Sequence, residues 1–224
     1  MTKIITIDGP SGSGKGTVSR MLAEKLSYQY LDSGALYRIL SIAASRRKLA
    51  LDNKEDLILI AEHMDVCFKT STQGHFSVLL ESEDVTIELR SEQTGANASQ
   101  IAAYPEVREA LLKRQRAFAI GAGLVADGRD MGTVVFPEAA LKIYLTASVE
   151  ERTSRRHKEL LEKGENVSLR ALAEQVRARD ERDMNREVSP LIAADDAIEL
   201  DTSHMDAKEV LETILSIIDF KGLH

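Results

Sequence analysis

With a single cysteine, Cys67, the chain has no partner for an internal disulfide, and no spaced Cys/His set suggests zinc. Cys67 reads as a small apolar side chain in a strand, in a protein of a reducing compartment. No run approaches the ~18 consecutive apolar residues of a membrane span. The opening residues lack the basic, apolar and small-residue pattern of a secretion signal. A cytoplasmic protein without a membrane partner is expected. Basic excess is also missing: 29 Lys and Arg stand against 36 Asp and Glu, a formal charge of −7. That argues against a nucleic-acid coat, so any anionic ligand must meet a local cluster of Arg and Lys. None of His63, His75, His157, His204 or His224 falls in a metal-ligand spacing or beside a candidate nucleophile, and all read as structural or exposed. There is no internal repeat and no low-complexity linker.

What is present describes a folded chain. At 224 residues, 43% hydrophobic and 29% charged, it suits one folding unit. Lys3 to Asp8 is a β-branched run ending at Gly9, which reads as a buried strand. Val18, Met21, Leu22 and Leu26 then recur at helical spacing. Tyr30 to Asp32 is a second strand, Ser33 is placed to cap a helix through Arg46, and a further helix falls near Lys54 to His63. Three short strands follow, at Asp65 to Lys69, His75 to Leu80 and Asp84 to Leu89, separated by turn-like Thr72–Gly74 and Ser82–Asp84; an antiparallel meander fits. Helices return from Ser91 to Ile101 and from Pro105 to about Ala119. Leu124–Asp127 and Leu141–Thr146 are two more apolar strands, and strands alternating with helices imply a parallel sheet. Glu150–Lys163 and Ser168–Glu187 are charged helical stretches divided by Gly164, with little apolar stripe. Ala197–Asp201 supplies a last strand, and Val210, Leu211, Ile214, Leu215 and Ile218 mark a closing amphipathic helix.

The first strand runs straight into Gly9-Pro10-Ser11-Gly12-Ser13-Gly14-Lys15-Gly16-Thr17. Strand, glycine loop and helix in that order are the context of a phosphate-binding loop. Glycines let successive backbone N–H groups turn inward, the helix N-terminus adds partial positive charge, and Lys15 reaches the β- and γ-phosphates of a nucleotide. The usual Ser/Thr directly after the lysine is Gly16, with Thr17 one place later as the candidate hydroxyl near Mg²⁺; Ser11 and Ser13 also lie in the loop, and the blander reading of Thr17 is a helix-surface hydroxyl. Asn53-Lys-Glu-Asp56 matches a guanine-reading motif in letters only. It follows one helix and begins another, so Asp52 or Asn53 reads as an N-cap.

Lys-Gly-Thr in the loop is the form of nucleoside monophosphate kinases. Together with Leu31–Arg38, Ala96–Gln100, Val107–Leu111, Ala126–Thr133 and Arg179–Arg186, it resembles the bacterial cytidylate kinases over nearly the whole chain, the three-stranded insertion included. The resemblance implies an α/β P-loop kinase fold: a five-stranded parallel sheet flanked by helices, a small antiparallel three-stranded insertion and a short helical lid. The implied core is 1–32, 103–148 and 188–224. The monophosphate-binding region is 33–102, with the inserted sheet at about 64–90, and the lid is about 149–187.

Residue by residue, the resemblance puts ATP on Gly9 through Thr17 and on Arg152. It puts the acceptor on Ser33, Arg38, Ser99, Arg108, Arg129, Asp130, Arg179, Asp183 and Arg186. Arg38 and Arg129 are expected on phosphate, and Ser99, Arg108 and Asp130 on the cytosine edge, where an unpaired polar group would cost binding and reject other bases. Lys15, Arg129 and Arg156 form the expected catalytic set. Blander readings stand beside these: Ser33 as a helix cap, Arg108 as a surface charge, and Arg152 and Arg156 as a solvated face. Arg179, Asp183 and Arg186 share one helical face by spacing and on that ground alone form an ion-pair ladder. Asp127 either orients Mg²⁺ through water or caps the next turn.

The expected reaction is ATP-dependent phosphorylation of CMP and dCMP by a monomer, with Mg²⁺ and no nucleic-acid partner. The alternatives are a kinase acting on another acceptor, such as UMP, AMP or shikimate, and a nucleotide-binding regulator without acceptor-dependent turnover.

Overall fold

The computed structural model describes residues 2–70, 76–162 and 164–223. The turn expected at Thr72–Gly74, His75, Lys163 and His224 lie outside the described residues. In chain order the elements are β1 (Lys3–Asp8), α1 (Lys15–Leu26), β2 (Gln29–Asp32), α2 (Ser33–Arg46), α3 (Lys54–His63), β3 (Val66–Thr70), β4 (Phe76–Leu80) and β5 (Glu83–Asp84). They continue with α4 (Glu92–Ile101), α5 (Pro105–Arg116), β6 (Gly123–Gly128), β7 (Leu141–Thr146), α6 (Val149–Glu162), α7 (Leu169–Met184), β8 (Ile198–Asp201) and α8 (Ala207–Lys221). A 3₁₀ turn covers Glu88–Arg90 and a π-turn covers Met131–Val135.

The chain divides into two compact units, 1–32 with 116–224, and 33–115. The first holds a five-stranded sheet in the order β2-β6-β1-β7-β8, all parallel. β6 is buried along its whole length, and the last four residues of β1 are buried, as strands with helices on both faces require. Ile5, Ile7, Val125, Ile143 and Leu145 pack with Val18 and Leu22 of α1 and with Val210, Ile214 and Ile218 of α8. Register sets the chemistry. Asp32 lies opposite Asp127 and shares its face of the sheet, while Asp8, opposite Gly128, falls on the other face at the carboxyl end of the neighbouring strand.

α6 and α7 join through polar groups. The buried residues of α6 are Arg152, Thr153 and Leu160, and those of α7 are Leu172, Asp180 and Asp183. Arg152 makes a bidentate pair with Asp180, at 3.0 and 2.6 Å. That pair explains how two helices with so little apolar stripe are fastened.

In the second unit, α2 is buried along most of its length, through Leu36, Ile39, Leu40, Ala43 and Ala44. The antiparallel sheet β3-β4-β5 is present, but its third strand is two residues long, against the six expected from Asp84 to Leu89. Asp84 Oδ1 accepts from Thr86 N at 2.8 Å, a local turn that diverts the chain, and Thr86 Oγ1 replaces a backbone carbonyl as acceptor for Val78 N. Cys67 is in β3 as expected, with its side chain exposed. Asn53 caps α3, its side chain accepting from Asp56 N, which accounts for the guanine-like letters as helix capping. Ser33 is the first residue of α2 and not its cap. Its hydroxyl donates to Gln115 Oε1 at 3.1 Å, both side chains being buried.

Candidate active site

The glycine loop is shaped by its backbone. A Cβ on Gly9 would sit 2.1 Å from the Leu145 carbonyl oxygen, so no other residue fits there. Gly14 adopts φ 87° as the N-cap of α1 and brings no side chain to the first turn of the helix, where Thr17 N turns back to Gly14 O at 3.1 Å; a helix N-terminus without a side-chain cap suits an anion. Three loop carbonyls are tied off from outside or by the lysine. Arg152 Nη1 donates to Ser11 O at 3.0 Å, Thr202 Oγ1 to Ser13 O at 3.2 Å, and Lys15 Nζ to Pro10 O at 3.0 Å. Pro10 O also accepts from Ser13 N at 3.4 Å, so the loop backbone is fixed both by its own groups and by Arg152 and Thr202.

Lys15 is held well below the ordinary lysine range. Loss of water is the main cause and Arg129 the next, with Asp127 opposing them. Asp127 is pushed up by burial and then by Asp32, its neighbour in the sheet, against the pull of Lys15. Tyr30 donates its hydroxyl to Asp127 Oδ2 at 2.7 Å, and a Cβ on Gly16 would meet that oxygen at 3.4 Å. The carboxylate therefore rests on the first turn of α1, beside the exposed Thr17.

A second cluster gathers around Asp183 on α7. Arg129 Nε donates to Asp183 Oδ2 at 2.8 Å, and Arg186 Nε to the Asp183 carbonyl at 3.3 Å. Burial raises the Asp183 carboxyl, but Arg129, Arg179 and Arg186 outweigh it and hold it below the usual range. Burial likewise opposes the charge of Arg129, and Asp183 restores it. Asp183 thus holds Arg129 through its carboxylate and Arg186 through its backbone carbonyl and feels the charge of Arg179, and two of these, Arg129 and Arg179, also act on Lys15. Such a surplus of fixed positive charge suits phosphate oxygens.

The first unit therefore brings together Lys15, Arg129, Arg179, Asp183 and Arg186. Asp130 is buried just after Arg129, and Arg152 contacts the glycine loop through its backbone. Arg156 is half-buried on α6 and pairs with Glu159. In the second unit, Arg38 Nη1 donates to Leu89 O at 2.8 Å. Arg108 is buried, donates to Ala102 O at 3.1 Å, and lies 5.5 Å from the centre of the Tyr37 ring. Ser99 is buried on α4.

Sequence reasoning missed Asp8, Tyr30, Asp180, Thr202 and Gln115. A carboxylate ending a buried strand could have flagged Asp8 as it flagged Asp127. The Arg152–Asp180 partnership spans 28 residues and left no local trace.

A parallel sheet whose central strand delivers a glycine-lysine loop to a helix N-terminus, with a guanidinium cluster beside it, defines a P-loop kinase, an enzyme that binds nucleotides and transfers phosphoryl groups. The sequence profile described as Cytidylate kinase matches residues 5–220, and the chain belongs to the cytidylate kinase family. A cytidylate kinase from Stutzerimonas stutzeri (strain A1501) is 57% identical over 221 residues, 98% of this chain and 96% of that protein. One from Colwellia psychrerythraea (strain 34H) is 53% identical over 220 residues, 98% and 97% of the two chains. Among solved structures, a shikimate kinase from Acinetobacter baumannii in complex with shikimate aligns with a TM-score of 0.49 at 17% identity, covering 100% of this chain and 97% of that one.

Proposed function

We propose that the enzyme transfers the γ-phosphoryl of ATP to CMP and dCMP, giving CDP and dCDP, as a cytoplasmic monomer. The observation that carries this reading is the gathering of Lys15, Arg129 and Arg179 within reach of one another's charge, with Asp183 holding Arg129 and Arg186 beside them, in a chain whose relatives are named cytidylate kinase. Gly9 to Thr17 hold the ATP phosphates, with Arg152 supporting the loop and Arg156 carried on the lid, residues 149–187. An oxygen of the acceptor phosphate attacks the γ-phosphorus as the bond to the β-bridging oxygen breaks, and ADP leaves. No covalent enzyme intermediate is needed, because the acceptor is itself an anionic nucleophile. Lys15, Arg129 and Arg156 neutralise the charge spread over the transferring group.

Ser33 and Arg38 of the second unit are assigned to the monophosphate, and Ser99 and Arg108 to the base. In the first unit Asp130 is assigned to the base, and Arg129, Arg179, Asp183 and Arg186 to ribose and phosphate. Mg²⁺ fits as an ion brought with the nucleotide. The Asp127 carboxylate and the Thr17 hydroxyl sit by the same helical turn, a hard oxygen set of the kind Mg²⁺ takes alongside phosphates and water. Thr17 would hold it, and it would supply charge neutralisation at the phosphates.

A coupled ADP-release assay over CMP, dCMP, UMP, AMP and shikimate tests the proposal. CMP and dCMP are expected to give the highest kcat/KM. No rate with CMP would refute the acceptor, and ATP binding without turnover on any acceptor would point to a nucleotide-binding regulator.

A further inference from the structure

Asp8 is the last residue of β1 and immediately precedes the glycine loop, and both of its carboxylate oxygens are taken up by the segment that follows β6. Oδ1 accepts from Met131 N at 2.9 Å and Oδ2 from Gly132 N at 2.8 Å, all in a buried setting. These are the two residues directly after Asp130. On the other side the Asp130 carbonyl accepts from both Val134 N, at 2.9 Å, and Val135 N, at 3.1 Å, as the π-turn begins. Met131 is fully buried, and Gly128 leaves room for it: a Cβ on Gly128 would fall 2.8 Å from Met131 Cγ. The Asp130–Met131 peptide is thus held at both its N–H and its carbonyl, and the clamp on the N–H is a carboxylate from another strand.

We infer that Asp8 is a positioning residue for the acceptor side of the reaction: it fixes the Asp130–Met131 backbone so that Asp130 presents one geometry to the incoming base. The chemistry of the clamp is specific. Two N–H donors converge on one side chain, and only a carboxylate offers two acceptor oxygens there; an amide offers one oxygen and sets its NH₂ against the second donor. Burial makes the mismatch costly, since a buried unpaired donor cannot turn to water. The same carboxylate lies between Asp130 and Lys15 electrostatically, Asp130 raising and Lys15 lowering its pKa, which agrees with a link from the glycine loop to the acceptor-reading residue. The inference rests on the assignment of Asp130 to the acceptor.

The test is steady-state kinetics of Asp8→Asn beside the wild-type enzyme, with KM measured separately for ATP and for each acceptor, and thermal melting in parallel. Loss of one buried hydrogen bond predicts an acceptor KM raised about ten-fold and a CMP:UMP preference lowered several-fold, with the ATP KM within about two-fold of wild type. If Asp8 only holds the glycine loop, the ATP KM rises and the acceptor KM does not, and the inference falls. If Asp8 is merely structural, the melting temperature and the active fraction drop while both KM values and the base preference stay unchanged, and the inference falls again.

Gly132→Ala provides a second variant should Asp8→Asn not fold. Its Cβ would press Thr6 Oγ1 at 3.0 Å and the Lys142 stem at 3.2 Å, pushing the Gly132 N–H off Asp8, and the same acceptor-side shift is expected. The acceptor reading fails separately. If wild type prefers another acceptor, the Asp8 effect is read on that acceptor's KM, and its absence there overturns the clamp.

Discussion

Tyr30 donates its hydroxyl hydrogen to Asp127 Oδ2 across 2.7 Å, and both polar atoms close over the Cα of Gly16, 3.4 and 3.7 Å from where a Cβ would be. This gives a physical reason for glycine directly after the loop lysine. A side chain there must share its space with a buried carboxylate and a phenol. Gly16→Ala makes ordinary van der Waals contact and is expected to keep the fold and most of the activity. Gly16→Thr brings a branched side chain into the pair and is expected to lower kcat by at least about ten-fold, as misplacement near the reacting groups does. Tyr30→Phe leaves the buried carboxylate one donor short, a loss of about 1–3 kcal/mol in urea unfolding. Equal activity of Gly16→Thr and wild type would show that the close approach has no consequence for turnover.

The role proposed for Lys15 sets function against stability. Its ammonium is desolvated and faces Arg129 and Arg179, so the unliganded native state bears a cost that bound phosphates would relieve. Lys15→Met removes the charge and keeps the stem. Turnover is expected to fall by about 10² or more, while the melting temperature of the unliganded protein stays level or rises. Adding ATP should then raise the wild-type melting temperature and hardly change that of the variant. A fully active variant would refute the role of the loop.

Asp8 gives a pH dependence whose sign can be worked out. Burial, with Asp130, lifts its carboxyl from 3.8 to about 6, against the two N–H bonds and Lys15. The native state therefore binds this proton more tightly than the unfolded chain. Its contribution to stability is complete below pH 3.8 and is lost as pH rises through about 6. Unfolding free energy measured between pH 4 and pH 6.5 should include a falling component on the order of 1–3 kcal/mol from this group. Asp8→Asn, which does not titrate, should lack it. Comparing the two proteins across that range removes the contributions of the other carboxylates. Parallel pH profiles would show that Asp8 titrates normally.

Much of the molecule is legible in its sequence because the signals are local. The Lys3–Asp8 run, the glycine loop and the amphipathic spacing of α8 each fall within a few residues, and β7 runs from Leu141 to Thr146 as expected. The third inserted strand was overestimated because its β-branched letters do not reveal the Asp84–Thr86 turn that ends it. At the site, motif residues such as Lys15 and Arg129 could be named, but their supports could not. Asp8, Tyr30 and Asp180 act across 123, 97 and 28 positions of chain, and only the sheet register and helix pairing bring such partners into contact. Ser33 shows the reverse error: a residue well suited to capping a helix instead donates to Gln115, 82 positions away.

The Arg152–Asp180 pair fastens α6 to α7 and, through Arg152 Nη1 and the Ser11 carbonyl, fastens both to the glycine loop. Both side chains are almost wholly removed from water, at 4% and 10% exposure. Breaking such a pair from one side strands a buried charge, and the usual loss is about 3–5 kcal/mol. Asp180→Leu is therefore expected to destabilise by an amount in that range, because the Arg152 guanidinium loses both of its bidentate bonds while remaining buried. Replacing both partners, as Arg152→Met with Asp180→Leu, removes the stranded charge and should recover much of the stability, measured by urea unfolding of all four proteins in a double-mutant cycle. Activity should not recover with it. The double variant restores packing between the helices but leaves Ser11 O without the Arg152 donor, so the loop loses one of its ties to the rest of the unit. Recovery of stability together with wild-type turnover would reduce the pair to a helix fastener and free the glycine loop from any dependence on it.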